Sequence, residues 1–285
     1  MKSSNPVFAN NAEFNGRATT QYADPSQWQI DLSGAPGPTT PATTGRMTLD
    51  SVVEKTAITL GLVVLGATVA WFMIGDIDSE GALGTAWALS MGGMLIGFAL
   101  AMVNSFKKAI SPALVIAYAL VEGVFVGAFS KIVSTWAGTN GPDLVFQAVL
   151  ATFVAAGATL AAYKFFNIQV TPKFRRVVMI SLFAFLGVMV VNFVLSLFGL
   201  LPNGGLRDMN NPMMALLVGG IAIVLGVLCL IMDFDFVEQG IRAGLPERES
   251  WRAVFGLTVT LVWLYLEILR LLALSGDPDW SASTG

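Results

Sequence analysis

Long apolar blocks constrain the fold of this chain more than any other feature of its sequence. A helix of about 20 apolar residues crosses a hydrocarbon core about 30 Å thick, whereas the strands of a membrane barrel alternate and run for about 10 residues. The pattern therefore predicts an all-α integral membrane protein, a bundle of seven transmembrane helices. The seven blocks lie at residues 57–75, 82–103, 112–135, 143–163, 177–201, 212–236 and 252–275.

The composition agrees with membrane insertion. Hydrophobic residues make up 55% of the chain and charged residues only 12%, whereas a soluble domain has about 25% charged residues. A net charge of −3 argues against a nucleic-acid partner. The bilayer itself is the first partner that the sequence predicts.

The absence of histidine and the single cysteine narrow the chemistry further. Cys229 lies inside an apolar run, which excludes a disulfide framework. A chain without histidine lacks the commonest metal ligand and neutral-pH switch. Any proton sensing must therefore use carboxylates.

The polar ends of the chain differ from its apolar middle. Residues 1–50 are rich in Asn, Ser, Thr, Pro and Gly and predict a flexible cytoplasmic tail, with Thr48 as the start signal of the first helix. Residues 51–276 form the predicted seven-helix domain, and 277–285 a short outer tail. Prolines stand at the block edges and the connections are short, so consecutive helices are expected to be antiparallel neighbours.

Basic residues predict the orientation. Thirteen Lys and Arg residues fall on the side of the amino terminus, against Lys131 and Arg207 on the other side and Arg270 inside the last block. The positive-inside rule then places the amino terminus in the cytoplasm and the carboxyl terminus outside a plasma membrane. Acidic residues crowd the predicted outer loops, either to attract cations or because basic residues are excluded there.

Four carboxylates at membrane depth are the candidate functional residues: Glu122, Asp233, Asp235 and Glu267. An acid near the centre of a span costs about 2.5–3.5 kcal/mol, so such residues usually face a cavity or one another. Each also has a structural alternative. The aspartates could form a solvated helix end, Glu267 could pair with Arg270 at i+3, and Glu122 could pair with either group or bind backbone.

Paired carboxylates suit a pH-sensitive cation site. Two of them in a low-dielectric bundle share a proton or bind a divalent cation, because both charges cannot stay unneutralised at low cost. Oxygen ligands without histidine favour a hard cation such as Ca²⁺, with Asp233, Asp235 and Glu267 as the predicted ligands. Catalytic and cofactor motifs are missing from the sequence. We therefore expect no enzyme activity and no cofactor apart from a calcium ion.

Two motifs resemble the Bax inhibitor-1 (transmembrane Bax inhibitor motif) family, in its actinobacterial branch. They are Ala-Leu-Val-Glu-Gly-Val-Phe-Val-Gly at 119–127 and Trp-Leu-Tyr-Leu-Glu-Ile-Leu-Arg-Leu-Leu at 263–272, joined by the acidic end of the sixth block at 231–239. The resemblance implies seven helices with the last one central. It also implies a pH-dependent calcium leak gated by acids on helices six and seven, here Asp233 or Asp235 with Glu267.

The chain departs from that pattern at three points. The acid of the seventh helix is Glu267 rather than aspartate, and the stretch 104–108 lacks the arginine that latches the acids in a characterised leak. Lys107, Lys108 or Arg270 is the substitute latch that we expect. Straight helices also leave Glu267 and Asp235 offset by roughly 18 Å along the axis, so pairing requires a non-helical segment at 240–251 or a strong tilt. Otherwise Glu122 is the nearer partner of Glu267.

A second function follows from the same resemblance. Some relatives regulate a membrane protease or a stress response through protein interaction, and a membrane protein partner is then expected. In that case the cytoplasmic tail matters more than the acids.

Overall fold

The computed structural model describes residues 45–138, 142–208 and 211–275. Within these ranges the chain forms seven long helices and no strand, and each helix is long and apolar enough to cross a membrane. The prediction of a seven-helix membrane bundle is thus confirmed. The helices are α1 (Leu49–Ile74), α2 (Glu80–Phe106), α3 (Pro112–Trp136), α4 (Asp143–Phe165), α5 (Pro172–Leu197), α6 (Pro212–Arg242) and α7 (Ser250–Ser275), with 3₁₀ turns at Pro202–Arg207 and Glu247–Glu249.

Capping residues and prolines in the sequence mark the first residues of these helices. Thr48 is the N-cap of α1: its hydroxyl accepts a hydrogen bond from the Ser51 amide at 3.1 Å, and the Ser51 hydroxyl accepts one from the Thr48 amide at 3.3 Å. This reciprocal pair satisfies two amides that have no partner within the helix. Pro112, Pro172 and Pro212 open α3, α5 and α6, where the missing N–H costs nothing.

Helix α7 occupies the centre of the bundle and α5 its edge. Helices α1, α3, α4 and α6 all pack against α7, and 61% of the residues in its apolar window are buried. The same fraction is 11% in α5, which packs mainly against α6 and the 3₁₀ turn Pro202–Arg207, with the Phe185 ring stacked on Trp263 of α7. Lipid therefore covers most of α5, and few side-chain contacts hold it in place.

The start of the described chain is fastened to the α6–α7 turn. The Met47 amide donates to the Leu245 carbonyl at 2.8 Å, and the Met47 side chain is buried. Lys55 forms an ion pair of 2.8 Å with Glu247 in the same turn. Residues 45–50, which the sequence assigned to the tail, thus belong to the bundle. The rest of the two predicted tails, 1–44 and 276–285, lies outside the described residues.

The two ends of the bundle differ in charge. We call the end where α1 begins the basic end, since it carries Arg46, Lys107, Arg175 and Arg248. We call the opposite end the acidic end. It carries Asp76, whose Oδ1 atom lies 3.4 Å from the Nζ atom of Lys131. This division follows the alternation of charge along the sequence, because antiparallel helices return every second connection to the same end.

Candidate functional site

The four candidate carboxylates lie at two main depths of the bundle. Asp233 and Glu122 are near mid-depth, Asp235 is about 3 Å closer to the basic end than Asp233, and Glu267 is nearer the acidic end. Three of them stand over a glycine of a neighbouring helix. A Cβ atom built at Gly97, Gly256 or Gly219 would lie 2.6, 3.4 or 3.9 Å from a carboxylate oxygen of Glu122, Asp233 or Glu267, respectively. The missing side chains leave room for the acids between closely packed helices.

Asp233 faces the central helix. The Thr260 hydroxyl donates to its Oδ2 atom at 2.6 Å, and its Oδ1 atom lies against Gly256 of the same helix. Among the described residues no Lys or Arg nitrogen is within ion-pair distance of Asp233. A half-buried carboxylate without a basic partner is available to a proton or a cation.

Asp235 points the other way, as expected for residues about 200° apart on one helix. The Arg175 guanidinium donates to its Oδ2 atom at 3.1 Å, and the Gln239 amide donates to the same oxygen at 2.6 Å. Only 8% of Asp235 is exposed. Asp235 therefore ties the basic end of α5 to α6, whereas Asp233 belongs to the α6–α7 interface.

Glu267 forms an ion pair with Arg207, not with Arg270. The Arg207 Nη2 atom lies 2.7 Å from Glu267 Oε1, and only 4% of Glu267 is exposed. The Arg270 guanidinium instead lies 5.5 Å from the centre of the Phe129 ring. The i+3 pair, the structural alternative for Glu267, is thus not formed, because Arg207 reaches into the bundle from the turn after α5 and binds the carboxylate instead.

Direct pairing of Glu267 with the aspartates does not occur. Glu267 is level with Gly219, 14 residues before Asp233 on α6, and it lies seven residues beyond Thr260 on α7. Counted along the two helices, Glu267 and Asp233 are therefore about 10–21 Å apart. Helix α6 runs unbroken to Arg242, and a compact turn leads into α7. The axial offset therefore persists. Among the described residues no group of three Asp, Glu, Cys or His side chains could hold a metal, so the predicted ligand set is not assembled.

Glu122 shares the depth of Asp233 rather than that of Glu267. Tyr118 of α3 packs on Phe255 of α7 with ring centres 5.1 Å apart, and two turns beyond Glu122 the Ser130 hydroxyl meets the Tyr265 hydroxyl at 2.7 Å. Glu122 is half-buried and close to Tyr118. Within the part of the chain that the structure describes, Asp233 and Glu122 are thus two acids without a basic partner at one level, Asp233 against α7 and Glu122 against α2.

The expected lysine latch is not formed. Lys107 and Lys108 are exposed at the end of α2, and neither makes an ion pair with a described residue. In their place Arg252 donates to the Lys108 carbonyl at 2.9 Å and Arg248 to the Ile110 carbonyl at 2.8 Å, joining this loop to the start of α7.

Arg175 and Arg207 are the arginines that pair with the candidate acids. From the sequence alone, both contribute only to the positive charge of the loops. Arg207 had one signal: it is one of just two basic residues, with Lys131, that the charge count places on the predicted outer side. Basic residues are disfavoured on that side of the membrane. One that occurs there is therefore expected to have a specific role.

Comparison with known proteins agrees with this architecture. The model of one protein family, described as Bax inhibitor 1 like, matches residues 5–276. No curated protein is significantly similar to the chain. A match over nearly the whole length identifies the family, and the chain belongs to the Bax inhibitor 1 like family.

Proposed function

We propose that the protein is a proton-sensitive cation leak, selective for Ca²⁺, in the plasma membrane with its basic end in the cytoplasm. The observation that carries this proposal is that two arginine–carboxylate pairs hold the most exposed helix. Arg175, near the start of α5, binds Asp235, and Arg207, just beyond its end, binds Glu267. Arg207 also donates to Met189 of α5 at 3.2 Å.

Acid opens this arrangement. Protonation of Asp235 or Glu267 removes the negative charge that holds the arginine, and the sparse packing of α5 leaves little else to keep it against the bundle. Movement of α5 away from α6 and α7 then admits water and ions. The flux is therefore low while both carboxylates are ionised and rises when they are protonated.

Asp233 and Glu122 are the residues that bind the cation as it crosses the bundle. Both lie near mid-depth without a basic partner, beside the Thr260 hydroxyl and Tyr118. Carboxylate and hydroxyl oxygens are the ligands of hard cations. Calcium is cargo in this proposal, bound briefly by one acid at a time, because Asp233 lies against α7 and Glu122 against α2.

Removing both arginine–carboxylate pairs tests whether they keep the leak closed. In proteoliposomes with a Ca²⁺-sensitive dye inside, we expect Asp235→Asn combined with Glu267→Gln to conduct at neutral pH as the unmodified protein does in acid. The ratio of acidic to neutral flux should fall to about one, because the neutral amides imitate the protonated acids. Glu238→Gln is the matched control, since Glu238 pairs with Arg242 on its own helix and does not contact α5.

A retained pH response in the double variant would refute the gate. Asp233→Asn together with Glu122→Gln should lower the flux at every pH, and unchanged flux there would refute the cation path. If only deletion of residues 1–44 altered function, and through loss of a captured membrane protein, the interaction role would replace the leak.

A further inference from the structure

The acidic half of the bundle contains a cavity that borders the Arg207–Glu267 pair of the proposed leak, while its other residues have no role in that leak. Its volume is about 1200 Å³, and helices α2, α3, α5 and α7 supply its walls. Helices α2 and α5 both line it but do not pack closely against each other. The cavity therefore opens sideways, between these two helices, toward the surrounding lipid.

Three buried polar atoms on its walls lack a hydrogen-bond partner: Arg270 Nη1, Glu267 Oε2 and Ser196 Oγ. Buried polar groups are almost always paired, so three orphans around one cavity indicate a polar occupant. The set offers guanidinium N–H donors from Arg270 and a carboxylate acceptor from Glu267 on one face of α7, and a hydroxyl from Ser196 on α5.

The charges at the bottom of the cavity favour an anion. Glu267 is neutralised by Arg207, and no carboxylate of the described residues lies within ion-pair distance of Arg270. Asp208 also lines the cavity, half-buried and engaged in an interaction of its own. A buried guanidinium without a counterion is costly, and phosphate is a group that arginine binds well.

We infer that the cavity binds one phospholipid from the leaflet at the acidic end. The phosphodiester accepts hydrogen bonds from Arg270 and Ser196. A donor further along the headgroup, an ammonium or a hydroxyl, reaches Glu267 Oε2. The acyl chains lie in the gap between α2 and α5, against apolar walls that include Met91, Met94, Phe185 and Phe193.

The headgroup requirement sets the test. Full-length protein is purified in detergent, and phosphatidylethanolamine, phosphatidylglycerol or phosphatidylcholine is added before native mass spectrometry. We expect one tightly held molecule of the first two lipids and at least about tenfold weaker binding of the third, whose headgroup has no N–H or O–H donor. Arg270→Met should weaken binding about 10- to 100-fold, the usual worth of charge-assisted hydrogen bonds.

Two further variants keep the result interpretable. Lys131→Met removes another buried positive charge of the acidic end, outside this cavity, and should retain the lipid. Leu186→Trp fills the gap beside α5 and should displace the lipid even though all charges remain. Equal binding of phosphatidylcholine, or unchanged binding by Arg270→Met, would overturn the inference. Equally tight binding of glycerophosphate would also overturn it, since the site would then take a soluble anion.

Discussion

Arg207→Ala is expected to lower the free energy of unfolding by about 3–5 kcal/mol, the usual cost of leaving a buried charge without its partner. Glu267 is 4% exposed, and its Oε2 atom accepts no hydrogen bond from any described residue. The truncation also removes the hydrogen bond to Met189 and so loosens α5. Steric trapping in bicelles measures the change directly.

A double variant separates charge from packing. Arg207→Met combined with Glu267→Met removes both charges and should recover most of the lost stability, because well-packed apolar residues often replace a buried pair without loss. Arg242→Ala is the control, since the side chains of Arg242 and Glu238 are 74% and 43% exposed. Its loss should not exceed about 1 kcal/mol. A loss as small as this for Arg207→Ala would show that Glu267 does not depend on its arginine.

Gly66→Val is expected to destabilise the bundle by about 3 kcal/mol or more. Its Cβ atom would lie 2.6 Å from the Leu120 carbonyl oxygen and 3.2 Å from the Gly123 Cα atom. Both obstacles are backbone atoms of α3, so the helices must separate instead of a side chain turning aside. Overpacking ordinarily costs about 1–3 kcal/mol where side chains can adjust, and this crossing has no such freedom.

Gly61→Val provides the matched control on the same helix. No atom of a neighbouring helix lies within 4 Å of a Cβ built at Gly61. The larger side chain there enters lipid and should leave the unfolding free energy almost unchanged. Thermal unfolding followed by the fluorescence of a core-reactive dye would compare the two variants. Equal midpoints would contradict the close crossing of α1 and α3.

Much of the architecture is predictable from the sequence because a bilayer allows few solutions. Block length gives the number of helices, Thr48 and the prolines give their starts, and the distribution of Lys and Arg divides the two ends. The candidate acids were also visible, because an ionisable residue inside an apolar block is conspicuous wherever it points. The family motifs at 119–127 and 263–272 agree with the family match.

Partner choice was not predictable in the same way. Whether Glu267 meets Arg270, Glu122, an aspartate or Arg207 depends on the axial register of α6 against α7 and on where the turn after α5 folds back. Residues 60 positions apart, such as Arg207 and Glu267, have no periodicity to link them.

The sequence alone thus determined a seven-helix membrane protein with four intramembrane acids, because hydrophobic length and charge bias act locally along the chain. Only the tertiary structure decided that two of those acids are neutralised by arginines while two have no basic partner among the described residues. The physical reason is that ion pairing depends on distances of a few ångströms between distant segments, and packing sets those distances.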